Sequence, residues 1–230
     1  MEIESASTKE ILQWACSAFG KNIAATSSFQ SQSVPLLHLI SIVCPKLPVV
    51  FIDTGFHFPE TLAFKNDLQA RFGLNILVAR PAIDKKELIR RYGAEPYYTR
   101  TDDCCRINKV DPLQQILENY AAWISGVRRD QTTTRRKLPV LDMQESGKLK
   151  INPMLHWTSQ DVWDYIKRHR LPTHPLLPQG YLSIGCAPCT QPVHNSNDER
   201  AGRWMGNDKD ECGIHLDLEK GRKSRRVKVS

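Results

Sequence analysis

The run Pro48-Val49-Val50-Phe51-Ile52, closed by Asp53-Thr54-Gly55, constrains this chain most. Consecutive apolar residues without alternation suit a strand buried on both faces, and such strands belong to parallel sheets covered by helices. The flanking segments fit. Thr8 to Phe19 sets Ile11, Leu12, Ala15, Cys16 and Phe19 at helical spacing, with Ser7 or Thr8 as cap and Gly20 as terminator. Asn22 to Ala25 reads as a short strand and Val34 to Cys44 as an apolar helix with Pro35 in its first turn. Pro59-Glu60-Thr61 opens another helix, and Asn75 to Ala79 is a third strand. Farther on, a helix around Asp111 to Tyr120 leads into a buried strand, Ala121 to Gly126. Lys150 to Met154 reads as a last edge strand, and Thr158 to His169 as a helix whose cap Thr158 faces Asp161. Leu171 to Ser183, rich in proline and glycine, is expected to be an irregular loop. The whole predicts an α/β fold with a Rossmann-like parallel sheet.

Composition narrows the class. Over 230 residues, 40% hydrophobic and 25% charged side chains suit a globular chain with a packed core. No apolar run approaches the roughly 18 residues of a membrane span, and the first ten residues carry no leader-like pattern, so a cytoplasmic protein away from the membrane is expected. The net charge is +7, but residues 216–230 hold six Lys+Arg against two Asp+Glu, which leaves +3 for the body. A body so weakly charged is not expected to bind nucleic acid, and the basic end reads as a mobile tail.

Seven cysteines are too many by one for full pairing. Cys16 and Cys44 sit in apolar helical patterns and read as small buried thiols. Cys104-Cys105 and Cys186-Ala187-Pro188-Cys189 form two close pairs about eighty residues apart, the arrangement of a metal centre. Adjacent cysteines on a strand point to opposite faces, so both can ligate one centre only from a bent or helix-end segment. On spacing alone an iron–sulfur cluster, zinc and a redox disulfide all stay open, although a cubane with four irons accommodates neighbouring ligands more readily than one compact ion. A zinc-ribbon nucleic-acid-binding protein is the distant alternative. Cys212, in Asp210-Glu211-Cys212-Gly213-Ile214-His215, has no apolar residue before it and is a candidate nucleophile.

Three polar segments follow buried strands: Thr26 to Ser33 with Ser27 and Ser28, Asp53-Thr54-Gly55, and Gly126 with the basic cluster Arg128 to Arg135. Strand ends of one hand are where open α/β sheets bind ligands, and guanidiniums there suit phosphate or sulfate.

The ordered set TSSFQSQS, FIDTGFHFPET, DDCCRINKVDPL, WISGVRRDQTTTR, INPMLHWTSQDVWDYI, PTHPLLPQGYLSIGCAPCT, DERAGRW and ECGIHL resembles the adenylyl-sulfate (APS) and phosphoadenylyl-sulfate (PAPS) reductase family. It is most similar to the iron–sulfur branch, the bacterial assimilatory APS reductases, because both cysteine pairs are present. The resemblance implies an adenine nucleotide alpha hydrolase-like core over residues 1–205 and a flexible segment, 206–230, carrying the catalytic cysteine. It implies that Cys104, Cys105, Cys186 and Cys189 hold one [4Fe-4S] cluster and that Cys212 attacks the sulfonate, with thioredoxin or glutaredoxin releasing sulfite. Ser27, Ser28, Asp53, Thr54, Gly55 and Gly126 would hold the nucleoside. Lys109, Arg128, Arg135, Arg200 and Arg203 would surround the phosphosulfate, and His215 would tune Cys212 or cap its segment. The substrate would be APS, or PAPS on the same scaffold, and a homo-oligomer is allowed. The related ATP pyrophosphatases carry a Ser-Gly-Gly-x-Asp-Ser phosphate loop. Here Ser27-Ser28-Phe29-Gln30-Ser31-Gln32-Ser33 lacks those glycines, which speaks against ATP cleavage.

Overall fold

The computed structural model describes residues 2–193, 198–204, 209 and 211–214. His215 and the basic tail lie outside the described residues, as does the expected domain boundary at 205/206. The first helix, α1 (Thr8–Phe19), starts at Ser7, whose hydroxyl accepts from the Glu10 amide while the Glu10 carboxylate accepts from the Ser7 amide. This reciprocal capping settles which residue is the cap. Strand β1 (Ile23–Ser27) leads through a 3₁₀ turn, Ser31–Ser33, into α2 (Val34–Val43), and β2 (Pro48–Ile52) leads into α3 (Pro59–Phe72). After β3 (Asn75–Ala79) comes α4 (Lys85–Tyr92), then α5 (Pro96–Thr99), α6 (Thr101–Cys105) and α7 (Asp111–Leu117). Strands β4 (Ala122–Ser125), β5 (Leu141–Met143) and β6 (Leu149–Ile151) follow, and α8 (Ser159–Arg168) begins at the Thr158 cap with Asp161 in the reciprocal position.

The sheet order is β3-β2-β1-β4-β6-β5, parallel except for the antiparallel β5–β6 pair. Successive residues serve opposite cores: Ile23, Ala25, Val49, Phe51, Ala122 and Ile124 face the layer with α1, α2, α3 and α8, while Ala24, Val50 and Trp123 face α7. The run from Val49 to Phe51 is therefore apolar throughout because helices cover both faces. Connections from β1 run toward β2 on one side, whereas β4 lies on the other. The carboxyl ends of β1 and β4 thus flank a topological switch point, where the two loops diverge and leave a crevice.

Two sequence expectations are corrected. Segment Lys150 to Met154 is not the edge: Leu149–Ile151 lies between β4 and the three-residue β5, which the sequence does not announce because Leu-Asp-Met has no apolar run and Met143 is exposed. Cys16 and Cys44 are not separate thiols. Helices α1 and α2 lie side by side on one sheet face, bringing the two Cα atoms to 6.5 Å, and the sulfurs are joined as a disulfide. Five cysteines remain free: Cys104, Cys105, Cys186, Cys189 and Cys212. No helix among the described residues is long and apolar enough to cross a membrane.

Candidate active site

The paired cysteines meet through an irregularity in one helical rod. Pro112 lacks an amide hydrogen and its ring would clash with the Asn108 carbonyl in an ordinary α-helix. The chain widens to a π turn over Arg106–Val110, where the Asp111 amide donates to the Arg106 carbonyl. Cys104 and Cys105 end α6 immediately before this turn, the helix-end placement that adjacent ligands need. Asn108, on the widened turn, donates from Nδ2 to the Cys104 carbonyl at 2.9 Å and to its Sγ at 3.5 Å.

The second pair lies on a 3₁₀ turn, Ala187–Cys189, pinned by the Ala187 amide donating to the Phe56 carbonyl at 2.7 Å. The Thr190 hydroxyl donates to the Cys186 carbonyl at 2.9 Å and accepts the Gly185 amide at 3.1 Å. Cys104, Cys105, Cys186 and Cys189 are all buried and line one cavity with Phe56, Tyr97 and Lys109. Burial pushes the Cys104 thiol up to about 12, reinforced by its cysteine neighbours, and the Cys189 thiol up to about 11. Such a set ionises only beside strong positive charge. Lys109 is buried next to it. Burial would lower its pKa, but the electrostatic pull of the neighbouring Cys186, Cys212 and Cys105 outweighs this and raises it, so it stays cationic. Among the described residues no three His, Cys, Asp or Glu side chains are arranged around a single ion. Four thiols around one cavity, with the Asn108 amide donating to one sulfur and the Thr54 hydroxyl within hydrogen-bond reach of another, match the donor chemistry of a larger thiolate-held centre.

Next to this cavity, at the switch point, a cleft is lined by Ser27 at the end of β1 and Ser28 beyond it, Thr54 after β2 and Gly126 after β4. A Cβ on Gly126 would stand 3.1 Å from Leu36, so glycine lets the loop after β4 sit close to α2. In the Ser27–Ser33 loop, Phe29 adopts a left-handed φ of 55°. Its fully buried ring makes an edge contact with Phe51, and that packing holds a turn that a glycine would otherwise take. The loop is tied outward by Gln30, which accepts the Ile184 amide at 2.8 Å, and Ser31, which accepts the His174 amide at 2.9 Å.

Cys212 lines the cleft beside Lys109, Arg135, Arg200 and Arg203. Arg203 stacks over Trp204 at 4.4 Å, and its guanidinium fills the space that a Cβ on Gly185 would need. Its Nε finds no hydrogen-bond partner among the described residues. Arg135, 4% exposed, instead grips Glu211 with Nε and Nη2 at 2.6 and 2.8 Å.

Three expected ligands stand elsewhere. Asp53 pairs with Arg80 at 3.4 Å and accepts the Gly55 amide at 3.2 Å; both shape the turn outside the cleft lining, with Gly55 at a φ of 71°. Arg128 is 1% exposed and also lies off the lining, held by Asp130 at 2.9 Å, Gln32 at 2.8 Å and Glu199 at 3.3 Å. Its sequence signal, a basic cluster after a strand, does not distinguish a guanidinium that faces the cleft from one turned toward carboxylates. Sequence reasoning passed over His57, Gln131 and Glu211, which line the cleft. Glu211 alone had a signal, its place beside Cys212.

The mostly parallel sheet covered by helices, with the cleft at its switch point, matches the adenine nucleotide alpha hydrolase-like fold. Residues 22–192 match the phosphoadenosine phosphosulfate reductase domain, and the chain belongs to that family. The adenosine 5'-phosphosulfate reductase of Streptomyces coelicolor is 42% identical over 215 residues, covering 93% of this chain and 90% of the relative. That of Mesorhizobium japonicum is 46% identical over 199 residues, covering 86% and 78%. Among solved structures, the phosphoadenylyl-sulfate reductase of Candida auris superposes with a TM-score of 0.72 at 28% identity, covering 84% of this chain and 93% of that one.

Proposed function

We propose that this protein is an oxidoreductase that reduces adenosine 5'-phosphosulfate to sulfite and AMP in sulfate assimilation and cysteine biosynthesis, with a cytoplasmic dithiol protein, thioredoxin or glutaredoxin, as electron donor. The observation that carries the reading is the position of Cys212, which shares one cleft with the Ser27–Ser28 loop and the cations Lys109, Arg200 and Arg203. The body over 1–205 binds the nucleotide, and 206–230 contributes the nucleophile. Ser27, Ser28, Thr54 and Gly126 hold the nucleoside, leaving the phosphosulfate toward the cations. The Cys212 thiolate attacks the sulfonate sulfur, the S–O bond to the AMP phosphate breaks, and AMP leaves with the electron pair. Cations around this point offset the repulsion between a thiolate and an anionic sulfonate. A thiolate of the dithiol partner then attacks the Cys212 sulfur, expelling sulfite and forming a mixed disulfide. The partner's second thiol resolves it, so that the two electrons come from the partner and Cys212 returns as a thiol.

Cys104, Cys105, Cys186 and Cys189 would hold one [4Fe-4S] cluster, which when bound supplies local charge and a structural clamp beside the cleft. Lys109 lines both the thiol cavity and the cleft, so its charge bears on both. PAPS is the second substrate reading, favoured by the Candida auris likeness. The decisive experiment exposes the protein to APS or PAPS without reductant and measures intact mass. A single sulfonate on Cys212, absent in Cys212→Ser while AMP still binds, is expected with APS. An unmodified wild-type chain refutes the mechanism.

A further inference from the structure

In the cleft, the residue next to Cys212 is itself an anion held by the cations there. The Glu211 side chain is 5% exposed. Its Oε1 accepts from Arg135 Nε at 2.6 Å and from the Thr132 hydroxyl at 3.3 Å, and its Oε2 accepts from Arg135 Nη2 at 2.8 Å. Arg200 Nη2 stands 3.8 Å from the same Oε2. This forked pairing is the geometry with which a guanidinium binds a phosphate or sulfonate.

The forked Nε–Nη2 edge of Arg135 is already occupied by an anion. Nε and Nη2 are committed to Glu211, and Nη1 donates to the Gln131 side-chain oxygen. An incoming phosphate can take the fork of Arg135 only by replacing the carboxylate, and two anions in so buried a site repel each other strongly. Lys109 and Arg203 also line the cleft, so a ligand has cations to meet before that exchange.

We propose that Glu211 is a positioning residue that acts as an internal anion: it holds Cys212 at the cleft through Arg135 and Arg200, and yields those guanidiniums to the anionic group of a bound nucleotide. Substrate arrival and the placement of Cys212 are then one linked equilibrium, since the carboxylate that is displaced belongs to the adjacent residue. The inference rests on the reading of this cleft as a nucleotide site and adds a competing group to it.

The test is calorimetric binding of AMP, which cannot react, to the wild type, Glu211→Gln and Glu211→Asp, with thermal unfolding as a check on folding. Removing the competing charge is expected to tighten AMP binding about tenfold in Glu211→Gln, a change that damage to the site would not produce, while Glu211→Asp stays near the wild type. Equal or weaker binding in a folded Glu211→Gln overturns the proposal. Hydrogen exchange on the unmodified protein gives an arm independent of any variant. The amides of residues 211–213 are expected to lose protection when AMP is added, and unchanged or increased protection counts against the exchange. Failure of the wild type to bind AMP would instead overturn the nucleotide reading itself.

Discussion

The Thr54 hydroxyl lies 3.4 Å from the Cys186 sulfur, joining the wall of the switch-point cleft to the thiol cavity. Thr54 Oγ1 accepts the Phe56 amide at 3.2 Å, and its own hydrogen can be donated to the sulfur when that sulfur is a thiolate. A donor on a thiolate stabilises its charged form. Thr54→Val keeps the shape and loses that hydrogen, and is expected to cost about 1 kcal/mol of stability and to shorten the survival of bound iron in air. Thr54→Ser should restore both. Iron content against time of exposure is the measurement, and equal decay in Thr54→Val and wild type would exclude the link.

Replacing any one of Cys104, Cys105, Cys186 or Cys189 by serine is expected to lower iron and acid-labile sulfide together, because all four line the same cavity. Cys212→Ser should retain both, as its sulfur lines the cleft instead. Elemental and sulfide analysis of anaerobically purified protein separates the two groups. Zinc without sulfide in the wild type would overturn the cluster.

The Cys16–Cys44 disulfide closes a 28-residue separation between α1 and α2. Reduction is expected to lower the unfolding free energy by about 2–4 kcal/mol through the greater freedom of the open chain. Cys16→Ser should show the same loss, with no further effect of reductant. Denaturant unfolding with and without a reducing agent checks this, and a Cys16→Ser chain still sensitive to reductant would argue against it.

His174 is fully buried; its Nδ1 accepts the Leu176 amide at 3.2 Å, and its Nε2 faces the Thr61 hydroxyl at 3.0 Å. Burial lowers its pKa to about 4, with Glu60 opposing. The unfolded chain takes up this proton near its ordinary value of about 6.5 and the folded chain only near 4, so the unfolded state binds more protons in between. Stability is therefore complete above about pH 6.5 and falls as pH drops toward 4. His174→Gln should flatten this limb, as read by urea midpoints across that range. An unchanged slope would assign the acid sensitivity to other groups.

Much of the fold and part of the site can be read along the chain. Val49 to Phe51 must be buried on both faces whatever surrounds them, and Ser7 with Glu10, like Thr158 with Asp161, forms a local cap from residues three apart. The spacing of the cysteine pairs marks them as candidate ligands of one centre without fixing which, and the polar neighbours of Cys212 mark it as a candidate nucleophile. These are short-range properties, set by strand and helix period and by the reach of one turn.

What the chain alone left undecided depends on which groups meet across long separations. Cys16 and Cys44 each fit an apolar helix face, and only the packing of α1 on α2 joins them. Arg128 and Arg135 belong to one basic cluster, yet Gln32, Asp130 and Glu199 hold the first away from the cleft while Glu211 engages the second within it. A guanidinium's role is set by the carboxylates it reaches, and Glu199 and Glu211 arrive from 71 and 76 residues away. Residue order was enough for a largely parallel α/β sheet and for picking out the four paired cysteines that line one cavity and the fifth that lines the cleft. Tertiary structure alone decided which cations face the cleft, because ion pairing is governed by distance in space and burial, neither of which is written in residue order.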